Sequence, residues 1–158
     1  MPELKRPLVK PIRPTDEEYI AKWEEAEFEQ KESTDSEYRF VTNKGERVRS
    51  KSEKMIADRL FMRGMPYRYE AKLEFKNGTV IHPDFTLLDM KKRREVYLEH
   101  FGMMDDSGYS ANAIRRIRTY EHNGILLGDK LLVSMETSRV PIDMGAVDKI
   151  IDSLLGTN

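Results

Sequence analysis

The sequence predicts a mixed β-sheet with helices on its faces, in the α/β or α+β class, and three observations carry that expectation. Residues 67 to 75 alternate apolar and polar side chains, as a half-buried strand does. Apolar residues recur at helical spacing on both sides of the strand-rich middle, around Met55 to Leu60 and again around Ala113 to Tyr120. Leu131, Leu132 and Val133 then follow one another without a break, which suits a strand buried on both faces. The central order is therefore helix, three strands, helix, strand.

Taken from the N-terminus, residues 1–14 hold Pro2, Pro7, Pro11 and Pro14 among Lys5, Arg6, Lys10 and Arg13. Proline at that density blocks helix and central strand alike, so an extended basic arm is expected. Thr15 with Glu18 is a capping-box pattern, and Ile20, Trp23, Ala26 and Phe28 recur at roughly helical spacing, predicting a helix that ends near Glu32. It lies in an acidic extension, residues 15–40, with ten acids against three bases. Residues 41–73 reverse the sign, with nine bases against four acids, and begin a core domain expected over 41–158.

Ser50 or Ser52 is placed to cap a helix over about 51–63 whose buried stripe is Met55, Ile56, Leu60 and Phe61, stopped by Gly64 and Pro66. The first strand puts Tyr67, Tyr69, Ala71, Leu73 and Phe75 on one face and Arg68, Glu70, Lys72 and Glu74 on the other. Asn77-Gly78 has the residue types of a two-residue type I′ turn, so Thr79 to Leu88 is expected to return as a second strand. In that strand Ile81, Phe85 and Leu87 share one parity and His82, Asp84 and Thr86 the other. A basic turn, Lys91-Lys92-Arg93-Arg94, leads to a third strand from Glu95 to Phe101, ended by Gly102. Ala113, Ile114, Ile117 and Tyr120 predict a helix over about 109–122. Lys130 to Met135 reads as a strand, and Met144, Val147, Ile150, Ile151, Leu154 and Leu155 define a last amphipathic helix.

Composition narrows the function. The 158 residues suffice for one core, and 27 Lys+Arg against 28 Asp+Glu leave a formal net charge of -1, so any nucleic-acid surface must be a local patch. The absence of cysteine excludes disulfide scaffolds, thiolate zinc sites and cysteine nucleophiles. No apolar run approaches the ~18 residues of a membrane span, so a soluble, cytoplasmic protein with no membrane partner is expected. Glu70, Asp84 and Glu99 fall on three consecutive predicted strands, with Glu53 on the helix before them. Carboxylates that converge repel one another unless a hard cation joins them, and all-oxygen ligation suits Mg²⁺ or Mn²⁺. By composition alone the leading alternative is plain solvent exposure, because acids on solvent faces of strands are common in a chain that is 35% charged. Pro83, however, lacks a ladder donor and marks Asp84 as lying at an edge, bulge or strand opening.

These residues resemble the PD-(D/E)XK nuclease superfamily, the restriction-endonuclease-like fold, whose minimal core has the order αβββαβ. The resemblance is carried by Arg49-Ser50-Lys51-Ser52-Glu53, Tyr69-Glu70, Pro83-Asp84-Phe85-Thr86 and Tyr97-Leu98-Glu99-His100-Phe101-Gly102, and spans roughly Gly45 to Glu136. It implies metal-dependent phosphodiester hydrolysis of nucleic acid, DNA in most relatives, with Mg²⁺ or Mn²⁺ as cofactor. Asp84 and Glu99 would be the two metal carboxylates, the main-chain carbonyl of His100 a third ligand, and Glu53 and Glu70 auxiliary ligands or orienters. The family expects a lysine two residues after the strand acid, and Phe101 stands there instead. His100 faces away from Glu99 by strand parity unless a bulge redirects it, and His82 is a further candidate base. Arg116 or Lys72 could supply positive charge, although arginine is a poor proton acceptor. Lys51, Lys54, Lys91, Lys92, Arg93, Arg94 and Arg115 are candidates for following the phosphate backbone, with a plain solvated turn as the alternative for Lys91 to Arg94. A homodimer would let one site act on each strand of a duplex. Two other classes stay open: a degenerate module that binds DNA or a protein without cutting, and an assembly protein whose basic arm and acidic helix pair subunits.

Overall fold

The computed structural model describes residues 14–156, so the expected basic arm, Pro14 apart, lies outside the described residues. In chain order the elements are α1 (Asp16–Glu25), β1 (Phe40–Val41), β2 (Arg47–Val48), α2 (Lys51–Met62), β3 (Tyr67–Tyr69), β4 (Leu73–Glu74), β5 (Val80–Ile81), β6 (Phe85–Asp89), β7 (Arg94–Phe101), α3 (Ser107–His122), β8 (Leu131–Met135) and α4 (Met144–Leu155). The principal sheet has the order β3-β6-β7-β8. β3 and β7 flank β6 antiparallel, and β8 joins β7 in parallel through the α3 crossover, as a parallel pair requires.

Both faces of this sheet are covered. Ile56, Ala57 and Leu60 of α2 and Val147, Ile151 and Leu154 of α4 pack on Tyr67, Tyr69, Phe85, Leu87, Val96 and Leu98. On the opposite face Tyr120 of α3 packs with Tyr97, Leu131 and Ile125, its ring stacked on that of Tyr97 at 6.1 Å. Alternate residues of β7 thus face opposite helical layers, Val96 and Leu98 toward α2 and α4, Tyr97 toward α3. The described residues form the expected mixed α/β structure, with four α-helices among them around a mixed sheet. Among the described residues no helix is long and apolar enough to cross a membrane.

Several expected elements differ in extent. α1 is capped by the reciprocal Thr15–Glu18 pair but stops at Glu25, short of Glu32, because residues 29 and 30 pair with the sheet edge. Gln30 bridges Ala71, and the Lys72 N–H donates to the Glu29 carbonyl. The cap of α2 is Ser50, whose hydroxyl accepts the Glu53 N–H, and its buried residues are Glu53, Ile56, Ala57 and Leu60. Met55 and Phe61 are exposed, so the stripe is rotated from the expected one. The first expected strand breaks at Glu70, which takes φ 51. The second breaks between Ile81 and Phe85, where Pro83 removes a ladder donor. The Asn77-Gly78 turn is not type I′. Phe75 accepts the Gly78 N–H, only Gly78 has positive φ, and Phe75 pairs with Thr79, giving a three-residue loop closed by a glycine bulge. The short β1–β2 hairpin, two residues in each strand, carries no alternation from which periodicity could mark it.

Candidate functional site

β6 and β7 stay paired only from Phe85–Leu98 to Asp89–Arg94, and β7 runs on three residues past that point. The parting of the two strands opens a cleft of about 450 Å³ lined by Glu70, Asp84, Glu99, Phe101, Tyr109 and Arg116, among others. Pro83 is the local cause: it ends the β6 ladder, so the Asp84 carboxylate bridges to β7 instead. The His100 N–H donates to Asp84 Oδ2 at 2.8 Å, and the Asp84 N–H reaches Glu99 Oε1 at 3.3 Å. Because N–H and C=O of one strand residue point to the same side, the His100 carbonyl faces the same open edge.

Glu99 is only 1% exposed. Its Oε2 accepts hydrogen bonds from Arg116 Nε and from the Tyr120 hydroxyl, each at 2.6 Å, while Arg116 also donates to the His82 carbonyl at 2.7 Å. α3 supplies both donors from one face, four residues apart. Burial, and then the Glu99 charge, push the Tyr120 hydroxyl far above its ordinary range, so it stays a donor. Asp84 is held well above the usual carboxylate range, first by burial and then by the charges of Glu99 and Glu53, with the His100 N–H and Arg116 pulling the other way. The carboxylates therefore outweigh the positive charge that faces them.

Glu70 also reaches this cleft, and by an unexpected route. Its left-handed backbone turns the side chain out of strand alternation, so a residue expected on a polar face is 5% exposed. Glu70 Oε2 lies 2.9 Å from Arg49 Nε, and Oε1 accepts the Tyr38 hydroxyl at 2.5 Å. Glu53 is near but not of the cleft: it accepts the Tyr69 hydroxyl at 2.7 Å beneath the sheet and bonds Ser50. The His100 ring follows strand parity and points away from Glu99, its nitrogens 2.6 Å from Ser134 Oγ and 2.7 Å from Glu136 Oε1. Glu136 also accepts the Ser52 hydroxyl. His82 lines the cleft with its basicity lowered, first by burial and then by Lys31. Phe101, two residues past Glu99, is buried on the cleft lining.

The remaining basic candidates do not gather here. Lys91, Lys92, Arg93 and Arg94 sit at the far end of the β6–β7 hairpin, about 17 Å from Asp84 at about 3.4 Å per residue. Arg93 pairs with Asp16, and Arg94 with Asp89 and Asp129. Lys72 pairs with Glu29, Lys54 with Asp58, and Arg115 bonds Asn112, while Lys51 is exposed at the start of α2. Sequence reasoning missed Lys31, Tyr38 and Asn112, which depend on long-range placement and carry no local signal. Among the described residues no three histidine or acidic side chains form a ready-made metal cluster. The cleft nonetheless gathers oxygen donors in Asp84, Glu99 and the His100 carbonyl, with the His82 imidazole also on its lining. No family model, curated protein or solved structure matches the chain.

Proposed function

We propose that the chain is a divalent-metal-dependent nuclease of the PD-(D/E)XK type, with a restriction-endonuclease-like core, acting on nucleic acid and foremost on DNA. The observation that carries this is the meeting of Asp84 and Glu99 at the strand opening beside Pro83, where the Asp84 N–H reaches Glu99 Oε1 and the His100 N–H donates to Asp84 Oδ2. Such a donor set fits Mg²⁺ or Mn²⁺, which would be held by Asp84, Glu99 and the His100 carbonyl. When bound, the cation would supply charge neutralisation at the scissile phosphate and a lowered pKa for attacking water. The protein's own groups do the positioning. Tyr120 and Arg116 fix the rotamer of Glu99, the His100 N–H fixes Asp84, and the charge of Arg116 stabilises negative charge developing in the cleft.

A second function is favoured by one specific observation, the buried Phe101 in the place of the lysine. In that reading the same fold binds nucleic acid or a protein without cutting it. Incubation of single-stranded, duplex and branched DNA with Mg²⁺ or Mn²⁺ separates the two. The expected result is metal-dependent cleavage by the wild type, reduced about 10²–10³-fold in Asp84→Asn and Glu99→Gln chains of unchanged circular dichroism. Binding with no product under either metal would assign the non-cutting function, and full activity in Asp84→Asn would sink the site.

A further inference from the structure

A second cavity, of about 300 Å³, lies beside the cleft and shares Lys31 and Glu70 with it as common wall. Its other lining residues include Tyr38, Arg47 and Tyr69. The wall is built by the strained turn at Glu70. The Glu70 N–H donates to the Asp84 carbonyl at 3.0 Å, and the Glu70 carbonyl accepts the Lys31 N–H at 3.1 Å. The Gln30 side-chain amide donates to the Tyr69 carbonyl at 3.1 Å. One residue in the left-handed region thus ties the segment carrying Lys31 directly to the residue carrying the candidate catalytic carboxylate. A non-glycine residue is rarely held at positive φ, and such strain concentrates where a fixed geometry is needed.

The charges along this joined path are unevenly matched. Arg49 is taken by Glu70 and Glu37, and Arg116 by Glu99. Glu46, also on the lining, accepts the Tyr67 hydroxyl. Lys31 and Arg47 are exposed, and neither has an ion-pair partner among the described residues. The cations at the Lys91 to Arg94 turn are remote from the cleft, and two of the four, Arg93 and Arg94, are paired with acids.

We propose that the two cavities form one groove, and that Lys31 and Arg47 hold the sugar-phosphate backbone of the nucleic-acid strand on one side of the bond to be cut. This rests on the nuclease function proposed above and moves the expected backbone contact from the basic turn to Lys31 of the acidic extension and Arg47 of β2. Unpaired lysine and arginine beside an open path suit phosphate oxygens, which position a strand without reading its sequence. Glu70 and Arg49, bound to each other, form the neutral floor between these phosphate contacts and the carboxylates.

The test is the salt dependence of binding. Fluorescence anisotropy of a labelled random-sequence DNA duplex, with the full chain in EDTA, gives the slope of log affinity against log salt. Removing one cation that neutralises a phosphate lowers that slope by about 0.9, so Lys31→Gln/Arg47→Gln is expected to lower it by about 2 and to weaken binding on the order of tenfold or more. Lys91→Gln/Lys92→Gln is expected to keep the wild-type slope. An unchanged slope in the first variant, or an equal fall in the second, overturns the groove. If the wild type cuts DNA while the first variant keeps its slope, the groove fails alone. If the wild type neither binds nor cuts, the groove and the nuclease function fall together.

Discussion

Asp84 is the residue at which the balance of forces is most exposed to experiment. Burial, then Glu99, then Glu53 disfavour its ionised form, so the folded chain holds a proton there above the ordinary value of 3.8 at which the unfolded chain loses it. Between those two values the native state binds more protons than the unfolded one, and stability contributed by this group falls as pH rises through the window. Asp84→Asn removes the ionisation and keeps an acceptor for the His100 N–H. In metal-free protein it is expected to flatten that fall and to melt at a higher temperature than the wild type at neutral pH. Thermal unfolding of wild type and variant across pH in EDTA measures both, and a variant less stable than wild type at neutral pH would refute this balance of charges. Asp84 and Glu99 were legible in the sequence because Pro83 marks the strand opening and the next strand follows closely. Arg116 was legible as a charge but not as the clamp on Glu99. Lys31 was not legible at all, because its position comes from a bridge between Gln30 and Ala71, 41 residues apart in number.

Elements that could be read from periodicity are those whose burial is settled by the layers packed directly on them. β7, α3, β8 and α4 lie within a few residues of their expected limits, β7 between two helical layers and α3 and α4 with one apolar face each on the sheet. Elements that departed from expectation were decided from a distance. α1 buries no residue, so nothing in packing sustains its helix past Ala26 once Glu29 and Gln30 find backbone partners on the sheet edge. The alternation of residues 67–75 concealed a break, because Glu70 gains Arg49 and Tyr38 by leaving the pleat. The packing of α2 on α4 shows which force holds the helical layer. Arg59 and Arg63 pair with Asp148, and Arg63 with Asp152 at 2.5 Å, but these side chains remain partly solvated. Ile151 is fully buried between the helices and the sheet, so truncating it leaves a cavity that the packed layers cannot close. Ile151→Ala is expected to cost about 2–5 kcal/mol and Asp148→Ala under about 1 kcal/mol in urea unfolding. A larger effect from Asp148→Ala would make the ion pairs, not the apolar packing, the principal tie.

At the scale of the whole chain, Asp16, Glu29 and Glu37 of the acidic extension pair with Arg93, Lys72 and Arg49 of the core, and a few polar contacts attach its first helix. Tyr19 donates to the Arg93 carbonyl at 2.9 Å, Asp16 lies 2.9 Å from Arg93, and Trp23 Nε1 donates to Glu95 at 2.9 Å. The Arg68 guanidinium lies 4.0 Å from the Trp23 ring and also donates to the Trp23 carbonyl. With no buried residue of its own, α1 has little apolar area to add, so its attachment is weaker than the core and is screened by salt. Lys31 is held differently, through main-chain bonds to Glu70 and by the pairing of residues 29–30 with the sheet edge, and it should stay in place when α1 leaves. Trp23, the chain's single tryptophan, reports this order of events. Its fluorescence is expected to change at lower urea than far-ultraviolet circular dichroism, and the gap is expected to widen at about 0.5 M salt, where the Debye length falls below about 8 Å. Coincident transitions at both salt concentrations would instead make α1 a full member of the cooperative core, fixed by contacts stronger than its surface ion pair and its cation–π pairing imply.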